Sequence, residues 1–289
     1  MTRSCLVTGA TSQIGDVLLP LLLQQGFQVT AWSRSRRYCA TEQQNTSLQW
    51  VSVDLREATA IPEHICTVLH LASIELLPDL LINTQSRYLR IVAISSCSVT
   101  AKASSSSSLE RDQAERLAKA EQHAQKLAKQ YGHDLTILRP TMLYGVGRDG
   151  TIAIMQRFVR RYYFLPLPAQ SSGLRQPVHV KDVAAAIVLS LESRASFGQV
   201  YELGGGERLS VKALAQRIFI DNQRTPCLIF IPSVFLRMGI YFMRHFKGRR
   251  DWTTALLERA KEDQVANNDQ ACADFGYAPR CFIGRWSAR

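Results

Sequence analysis

The 289-residue chain is 46% hydrophobic and carries a formal charge of +11, enough apolar content for a real core in one large or two closely joined domains. Its seven cysteines occur singly, with no C-x-x-C pair, which argues against a disulfide framework or a zinc knuckle and fits a reducing setting without a bound metal. The basic residues gather at Arg34, Arg36 and Arg37, at Arg157, Arg160 and Arg161, and at Arg244, Lys247, Arg249 and Arg250. No zinc finger, helix-turn-helix or RNA-binding aromatic motif accompanies them, so no nucleic acid partner is expected.

From Met1-Thr2-Arg3 the chain passes straight into a strand-like run without the apolar stretch of a signal peptide, and a cytoplasmic location is expected. Ser4 to Thr8 reads as a short buried strand. Ile14 to Gln24 reads as a helix with Leu18, Leu21 and Leu22 on one face, closed by Gly26. Strands follow at Phe27 to Ser33, Leu48 to Val53, Thr67 to Leu71 and Arg90 to Ser95, with a short helix over Leu76 to Thr84. Thr100 to Asp112 holds five consecutive serines and no apolar periodicity, which predicts a polar loop.

Gln113 to Tyr131 is an amphipathic helix that turns Leu117, Ala120, Ala124, Leu127 and Ala128 inward, and Leu135 to Leu138 is the next strand. Helices are expected near Ile152 to Arg161, Val180 to Leu191, Val211 to Phe219 and Thr253 to Ala260. Strands alternating with helices predict a Rossmann-like α/β fold, a doubly wound parallel sheet with a smaller C-terminal substrate lobe. The expected units are 1–165, with 176–205 contributing, and a lobe made of 145–175 and 206–289. An apolar run from Ile229 to Phe246 is interrupted by Pro232, Arg237 and Arg244. It is too broken to span a bilayer, yet with its basic tail the segment 229–250 offers a peripheral membrane or protein docking surface.

The sequence Thr8-Gly9-Ala10-Thr11-Ser12-Gln13-Ile14-Gly15 joins the first strand to the first helix. A phosphate rests on a helix N-terminus because unpaired N–H groups and the helix dipole point at it, provided that the backbone approaches closely. Gly9 supplies the tight turn and Gly15 the close helix–strand contact, while Ser12 replaces the usual middle glycine and offers a hydroxyl to the phosphate. This turn predicts a bound dinucleotide. Its choice is read after the second strand, at Ser33 and Arg34, where no acid waits for a ribose 2′-hydroxyl and an arginine can take a 2′-phosphate. NADP(H) is therefore expected over NAD(H). Asp54 and Leu55 end the third strand, where a carboxylate can meet the adenine amino group, and Leu71, Ala72 and Ser73 follow His70 at the end of the fourth.

Together with Ile137-Leu138-Arg139-Pro140, Leu143-Tyr144-Gly145, the segment from Arg175-Gln176-Pro177-Val178-His179 to Ala184, and Asp274-Phe275-Gly276-Tyr277, these residues resemble the extended and atypical short-chain dehydrogenase/reductases, the NAD-dependent epimerase/dehydratase superfamily. The resemblance implies an anionic small-molecule substrate such as a sugar nucleotide, with Arg175 on its phosphate and Tyr144 and Ser96 beside it. It adds Pro140 to the cofactor residues. Active members carry Y-x-x-x-K on one helix face, the tyrosine exchanging a proton and the lysine lowering its pKa. Aligning Lys119 with that lysine gives it a cofactor and catalytic role and places Glu115 where the tyrosine belongs.

An ordinary glutamic acid is ionised near neutrality and a neighbouring lysine keeps it so, and Glu115 four residues before Lys119 suits a helical ion pair. Ser95, Ser96 and Ser98 stand where the family's catalytic serine or threonine lies, better suited to orienting a carbonyl than to protonating it. Two readings stay open. One is an oxidoreductase or epimerase with altered acid–base groups; the other is a catalytically silent NADP(H)-binding structural or regulatory subunit.

Overall fold

A computed structural model describes residues 3–34, 46–57, 60–84, 88–147, 150–232, 234–235 and 262–283. The strands are β1 (Arg3–Thr8), β2 (Phe27–Ser33), β3 (Leu48–Ser52), β4 (Thr67–His70), β5 (Arg90–Ile94), β6 (Asp134–Pro140) and β7 (Leu143–Tyr144), followed by β8 (Leu165–Pro168), β9 (Leu174–Arg175), β10 (Val178–His179), β11 (Val200–Leu203), β12 (Leu209–Ser210) and β13 (Leu228–Ile231). The helices are α1 (Gly15–Gln24), α2 (Leu77–Ile82), α3 (Ser98–Ala101), α4 (Ser108–Tyr131), α5 (Thr151–Tyr162), α6 (Val180–Glu192), α7 (Val211–Asp221) and α8 (Asp269–Phe275).

Seven parallel strands form the central sheet in the order β11-β6-β5-β4-β1-β2-β3. Successive side chains on a strand point to opposite faces, so a sheet covered on both sides needs apolar residues at every position. Cys5 and Val7, Leu69, Val92 and Ile94 accordingly face α1 and α6 in one core cluster. Their neighbours Leu6, Val68, Ile91 and Ala93 face α2 and α4 in another. A third cluster joins Ile152, Val159, Leu165, Leu214, Ile218 and Phe219, and so packs α5 and α7 over β8. Residues 176–205 supply α6, which lies against α1, and β11, which completes the sheet.

The expected elements fall within a residue or two of the observed ones, with one correction. The serine-rich stretch after Thr100 is not all loop: α3 occupies Ser98–Ala101, and α4 begins at Ser108, five residues before the apolar periodicity becomes visible. A helix start needs partners for its first N–H groups, not apolar residues. Ser105 provides the local order: its hydroxyl donates to Glu110 at 2.7 Å and accepts from the Ser107 N–H, while Arg111 donates to its carbonyl at 2.6 Å. Ser107-Ser108-Leu109-Glu110 has the spacing of a capping box, a signal that the apolar pattern alone does not show. The helix expected at Thr253 to Ala260, Arg36 and Arg37, and all but the first residues of the 229–250 segment lie outside the described residues.

The stripe of α4 that faces the protein runs Glu110, Ala114, Leu117, Glu121, Ala124 and Ala128, at alternating spacings of four and three. Glu121 is buried on it and pairs with Arg139 near the end of β6, both carboxylate oxygens accepting from the guanidinium. Removing one partner of such a buried pair leaves an uncompensated charge. Glu121→Ala is therefore expected to lower unfolding free energy by about 3 kcal/mol in a urea titration, with Glu121→Gln losing less.

His70 is fully buried between β1 and β4. Nδ1 faces the Thr8 hydroxyl at 2.9 Å and Nε2 the Ser73 carbonyl oxygen at 3.0 Å, which fixes a neutral ring that donates to Ser73 and accepts from Thr8. Burial lowers its pKa to about 4. A histidine whose folded pKa is depressed contributes stability that is complete above its unfolded value and is lost as pH falls toward the folded one. Unfolding free energy should therefore drop between about pH 6.5 and pH 4. The slope should flatten in His70→Gln.

Candidate functional site

The C-terminal ends of β1, β2, β3 and β4 surround a cavity of about 320 Å³. Its walls are Gly9, Thr11 and Ser12 after β1; Trp32, Ser33 and Arg34 at the end of β2; Val53, Asp54, Leu55 and Arg56 after β3; and Leu71, Ala72, Ser73 and Leu76 after β4. Ten of the residues expected around the dinucleotide from the sequence thus converge on one hollow. Trp32, Val53, Arg56 and Leu76 join them without having been expected. Arg56 had a legible signal, since a carboxylate two residues upstream favours an Asx turn: Asp54 Oδ1 accepts from the Arg56 N–H at 3.1 Å.

The turn at the cavity floor is built by contact. Gly9 has φ +65°, and a Cβ there would stand 2.6 Å from the Ala72 backbone nitrogen. Gly15 lies so close to Ala10 that a Cβ would collide with its carbonyl oxygen, and that closeness sets α1 against β1. Ser12 modifies the phosphate cradle. Its Oγ accepts from the Gly15 N–H at 3.1 Å, so the hydroxyl that replaces the usual glycine also caps α1. Thr11 Oγ1 lies 2.9 Å from Ser33 Oγ, tying the turn to the end of β2.

Gln13, Ile14 and Gly15 are not part of the wall. Ile14 is buried in the first core cluster, and the buried Gln13 Oε1 has no hydrogen-bond partner among the described residues. Pro140 sits at the end of β6, its carbonyl accepting from the Cys97 N–H at 3.1 Å. The exposed Arg34 and Arg56 face the same hollow from two strand ends. A backbone cradle that a Cβ would fill, a helix N-terminus and two guanidinium groups fit the phosphates of a dinucleotide.

The residues expected to carry the chemistry are not gathered in this way. Lys119 and Glu115 form an ion pair at 2.6 Å with side chains 71% and 61% exposed. The hydrogen bond and charge of Lys119 hold the Glu115 pKa below the usual carboxylate value. Lys119 lies two residues from both Leu117 and Glu121, which face inward, and two residues turn a helix by about 200°. The pair therefore faces solvent. One turn before Glu121, the inward position is Leu117.

Ser96 Oγ donates to Ser98 Oγ at 3.0 Å and accepts from the Ser98 N–H, holding the start of α3. Tyr144 is buried against His179 and Phe282, and its hydroxyl accepts from the Ile283 N–H at 3.2 Å; burial raises its pKa to about 12. Arg175 is buried and donates to the carbonyls of Leu174 and Glu262 at 2.7 and 2.6 Å. His179 caps α6, Nδ1 accepting from the Lys181 N–H, and burial lowers its pKa to about 4. No group of three or more His, Cys, Asp or Glu among the described residues is arranged to hold a metal ion.

The floor of the cavity gives the sharpest test of the site. Gly9→Ala is expected to weaken dinucleotide binding at least tenfold, because the added methyl and the positive φ together force the turn away from Ala72. Fluorescence titration with NADPH reads this directly, and an unchanged affinity would mean that the dinucleotide does not lie on this turn.

A model of the NAD dependent epimerase/dehydratase family matches residues 5–101 and 84–204. The chain is 36% identical over 100 residues to the mitochondrial NADH dehydrogenase [ubiquinone] 1 alpha subcomplex subunit 9 of Arabidopsis thaliana, a stretch covering 34% of this chain and 25% of that protein. It is 24% identical over 113 residues to the UDP-glucose 4-epimerase of Vibrio cholerae, covering 39% and 34% respectively. The matched stretches thus span only about a quarter to a third of these relatives. The fold is shared over nearly the whole chain with UDP-glucuronic acid 4-epimerase from Bacillus cereus in complex with UDP-glucuronic acid and NAD, at a TM-score of 0.73 and 18% identity over 98% of this chain and 96% of that one. It is equally shared with dTDP-glucose 4,6-dehydratase from Bacillus anthracis in complex with NAD, at 0.72 and 16% over 97% and 92%. With the glycine turn, the seven-stranded parallel sheet and the family match in agreement, the chain belongs to the NAD dependent epimerase/dehydratase family.

Proposed function

We propose that the protein binds NADP(H) in the cavity at the ends of β1 to β4 and holds it without the proton-transfer chemistry of an epimerase. The observation that carries this reading is the orientation of α4. The helix presents Leu117 and Glu121 to the protein and leaves the only tyrosine-position and lysine-position candidates from the sequence, Glu115 and Lys119, as an ion pair in solvent. A proton donor must reach the reacting oxygen within hydrogen-bond distance, and an exposed ionised glutamate meets neither that distance nor the required protonation state. Tyr144 and Arg175, the candidates for substrate contact, are buried, Tyr144 accepting from the Ile283 N–H and one Arg175 nitrogen donating to the carbonyls of Leu174 and Glu262.

The cofactor preference rests on Arg34 and Arg56 at the cavity wall and on the absence of a carboxylate at the end of β2, where Ser33 is followed by Arg34. Gly9 and Ser12 would support the pyrophosphate, and Asp54 and Leu55 the adenosine half. When bound, the dinucleotide brings hydride chemistry; the residues around it supply binding and orientation. The match to a subunit of NADH dehydrogenase suits a structural or regulatory role.

One observation favours the alternative, an oxidoreductase or epimerase acting on an anionic molecule such as a sugar nucleotide. At the end of β5 the buried Ser95 Oγ has no hydrogen-bond partner among the described residues, and a hydroxyl left unpaired away from water is costly unless a ligand completes it.

The two readings separate in one set of measurements. NADPH is expected to bind more tightly than NADH, and Arg34→Ala to remove at least tenfold of that difference, the scale of a lost charged hydrogen bond. Glu115→Ala and Lys119→Ala should leave affinity within about twofold, since an exposed pair contributes little. Incubation with NADP+ and UDP-sugars is expected to give neither reduced cofactor nor epimer. Turnover that Ser95→Ala abolishes would establish the alternative instead.

A further inference from the structure

The lobe formed by α5, α7, β8 and β13 has a surface of distinctive composition. Tyr162, Tyr163, Ile220 and Phe230 are between 44% and 58% exposed there, and Val234 and Phe235 follow at 65% and 61%. Single exposed apolar residues are ordinary, but a contiguous group marks a contact surface. They lie on adjoining elements, since β13 pairs with β8 directly after α5, and α5 packs on α7.

Cations are interleaved with them. The Arg224 guanidinium lies 4.3 Å over the Tyr163 ring, Arg161 5.6 Å from Tyr162, and the Lys212 ammonium 5.9 Å from Phe230. Arg157 is exposed one turn before Arg161 on α5. Acids are nearly missing: residues 151–181 contain Arg157, Arg160, Arg161, Arg175 and Lys181 and no Asp or Glu, and residues 211–235 contain only Asp221. Arg217 is set apart by its pairing with Glu207 at 3.5 Å.

We infer that this face docks the protein on an anionic lipid surface. Tyrosine and phenylalanine sit at the level of lipid headgroups because one part of the ring is apolar and another is wet, and arginine stems lie along apolar surface while their heads reach phosphate. A surface that is both apolar and positive, with almost no acid to repel headgroups, is complementary to an anionic bilayer in charge and in polarity. No helix among the described residues is long and apolar enough to cross a membrane, so the contact lies in the plane of the interface. The cavity between β1 and β4 uses none of these residues.

Sedimentation with phosphatidylcholine vesicles, with and without phosphatidylglycerol, tests this. The wild-type chain is expected to pellet with the anionic vesicles alone and to be released by salt. Arg157→Glu with Arg161→Glu should lower the partition coefficient at least twentyfold, each cation near a charged surface contributing about a fivefold factor. Lys212→Glu with Arg224→Glu tests the same charge from α7 and its flanking loop, and Tyr163→Ser with Phe230→Ser should weaken binding at low salt without changing the charge. Thermal unfolding confirms that each variant is folded.

Three results would overturn the inference. The wild type could fail to bind anionic vesicles, or both charge-reversed pairs could bind as well as wild type. The chain could also bind soluble polyglutamate as tightly as vesicles with the apolar substitutions silent, which would make the face a site for an acidic protein.

Discussion

The buried ion pair between Glu121 and Arg139 fixes how α4 sits on the sheet. A carboxylate and a guanidinium removed from water must find each other, and here the guanidinium stands near the end of β6 while the carboxylate is carried by the helix. Together with the apolar stripe through Leu117, Ala124, Leu127 and Ala128, that requirement fixes the rotation of α4 about its own axis. Once Glu121 points inward, every other residue of the helix has its direction fixed by the geometry of 3.6 residues per turn. Ala114, Leu117, Ala124 and Ala128 fall on the covered side; Glu115 and Lys119 fall on the open one. The face of α4 that packs on the protein is thus apolar and closed by one charge pair, and the Glu115–Lys119 pair lies on the other.

The dinucleotide turn depends on a constraint of a different kind, the distance between backbones. Gly9 and Gly15 are required because Ala72 on one side and Ala10 on the other leave no room for a Cβ. These contacts bring the end of β4, the end of β1 and the start of α1 together and so shape the hollow between them. Ser12 then takes up one of the N–H groups that a bare helix terminus would offer to an anion. The hydroxyl keeps its own hydrogen to donate, so the cradle changes from a purely backbone site to a mixed one, and Arg34 and Arg56 stand in the same wall.

The sheet and the cavity were legible in the sequence because both rest on local signals. Parallel strands buried on two faces read as short apolar runs, and the glycine spacing between the first of them and a helix is dictated by close approach. The residues at strand ends line one hollow because the fold places the ends of β1 to β4 side by side. The chemistry of α4 was not legible in the same way. The four-residue interval between Glu115 and Lys119 fits an inward catalytic pair and an outward ion pair equally well; the apolar stripe through Leu117, Ala124 and Ala128 turns it outward, and Glu121, paired with Arg139 18 residues farther along, closes the same stripe. Tyr144 and Arg175 pose the same problem. Their own segments look like substrate contacts, while the groups that occupy them, the Ile283 N–H and the Glu262 carbonyl, come from the far end of the chain. Likewise, the start of α4 was hidden because it is ordered by the Ser105 hydroxyl, which accepts from the Ser107 N–H and donates to Glu110, and such contacts carry no apolar period.

The distribution of charge follows the same separation between parts. Arg34 and Arg56 stand at the mouth of a concave site, where low-dielectric walls concentrate their field on a single anion. Arg157, Arg161, Lys212 and Arg224 are spread over an exposed, partly apolar face, where their field falls off within about 10 Å at moderate salt and acts only on a surface brought into contact. In the proposed reading the two sets of cations serve two purposes that do not compete, because the cavity and the face of α5 and α7 share no residue. On that reading the chain holds a dinucleotide and lies on a charged surface at once, and neither role draws on the exposed Glu115–Lys119 pair of α4.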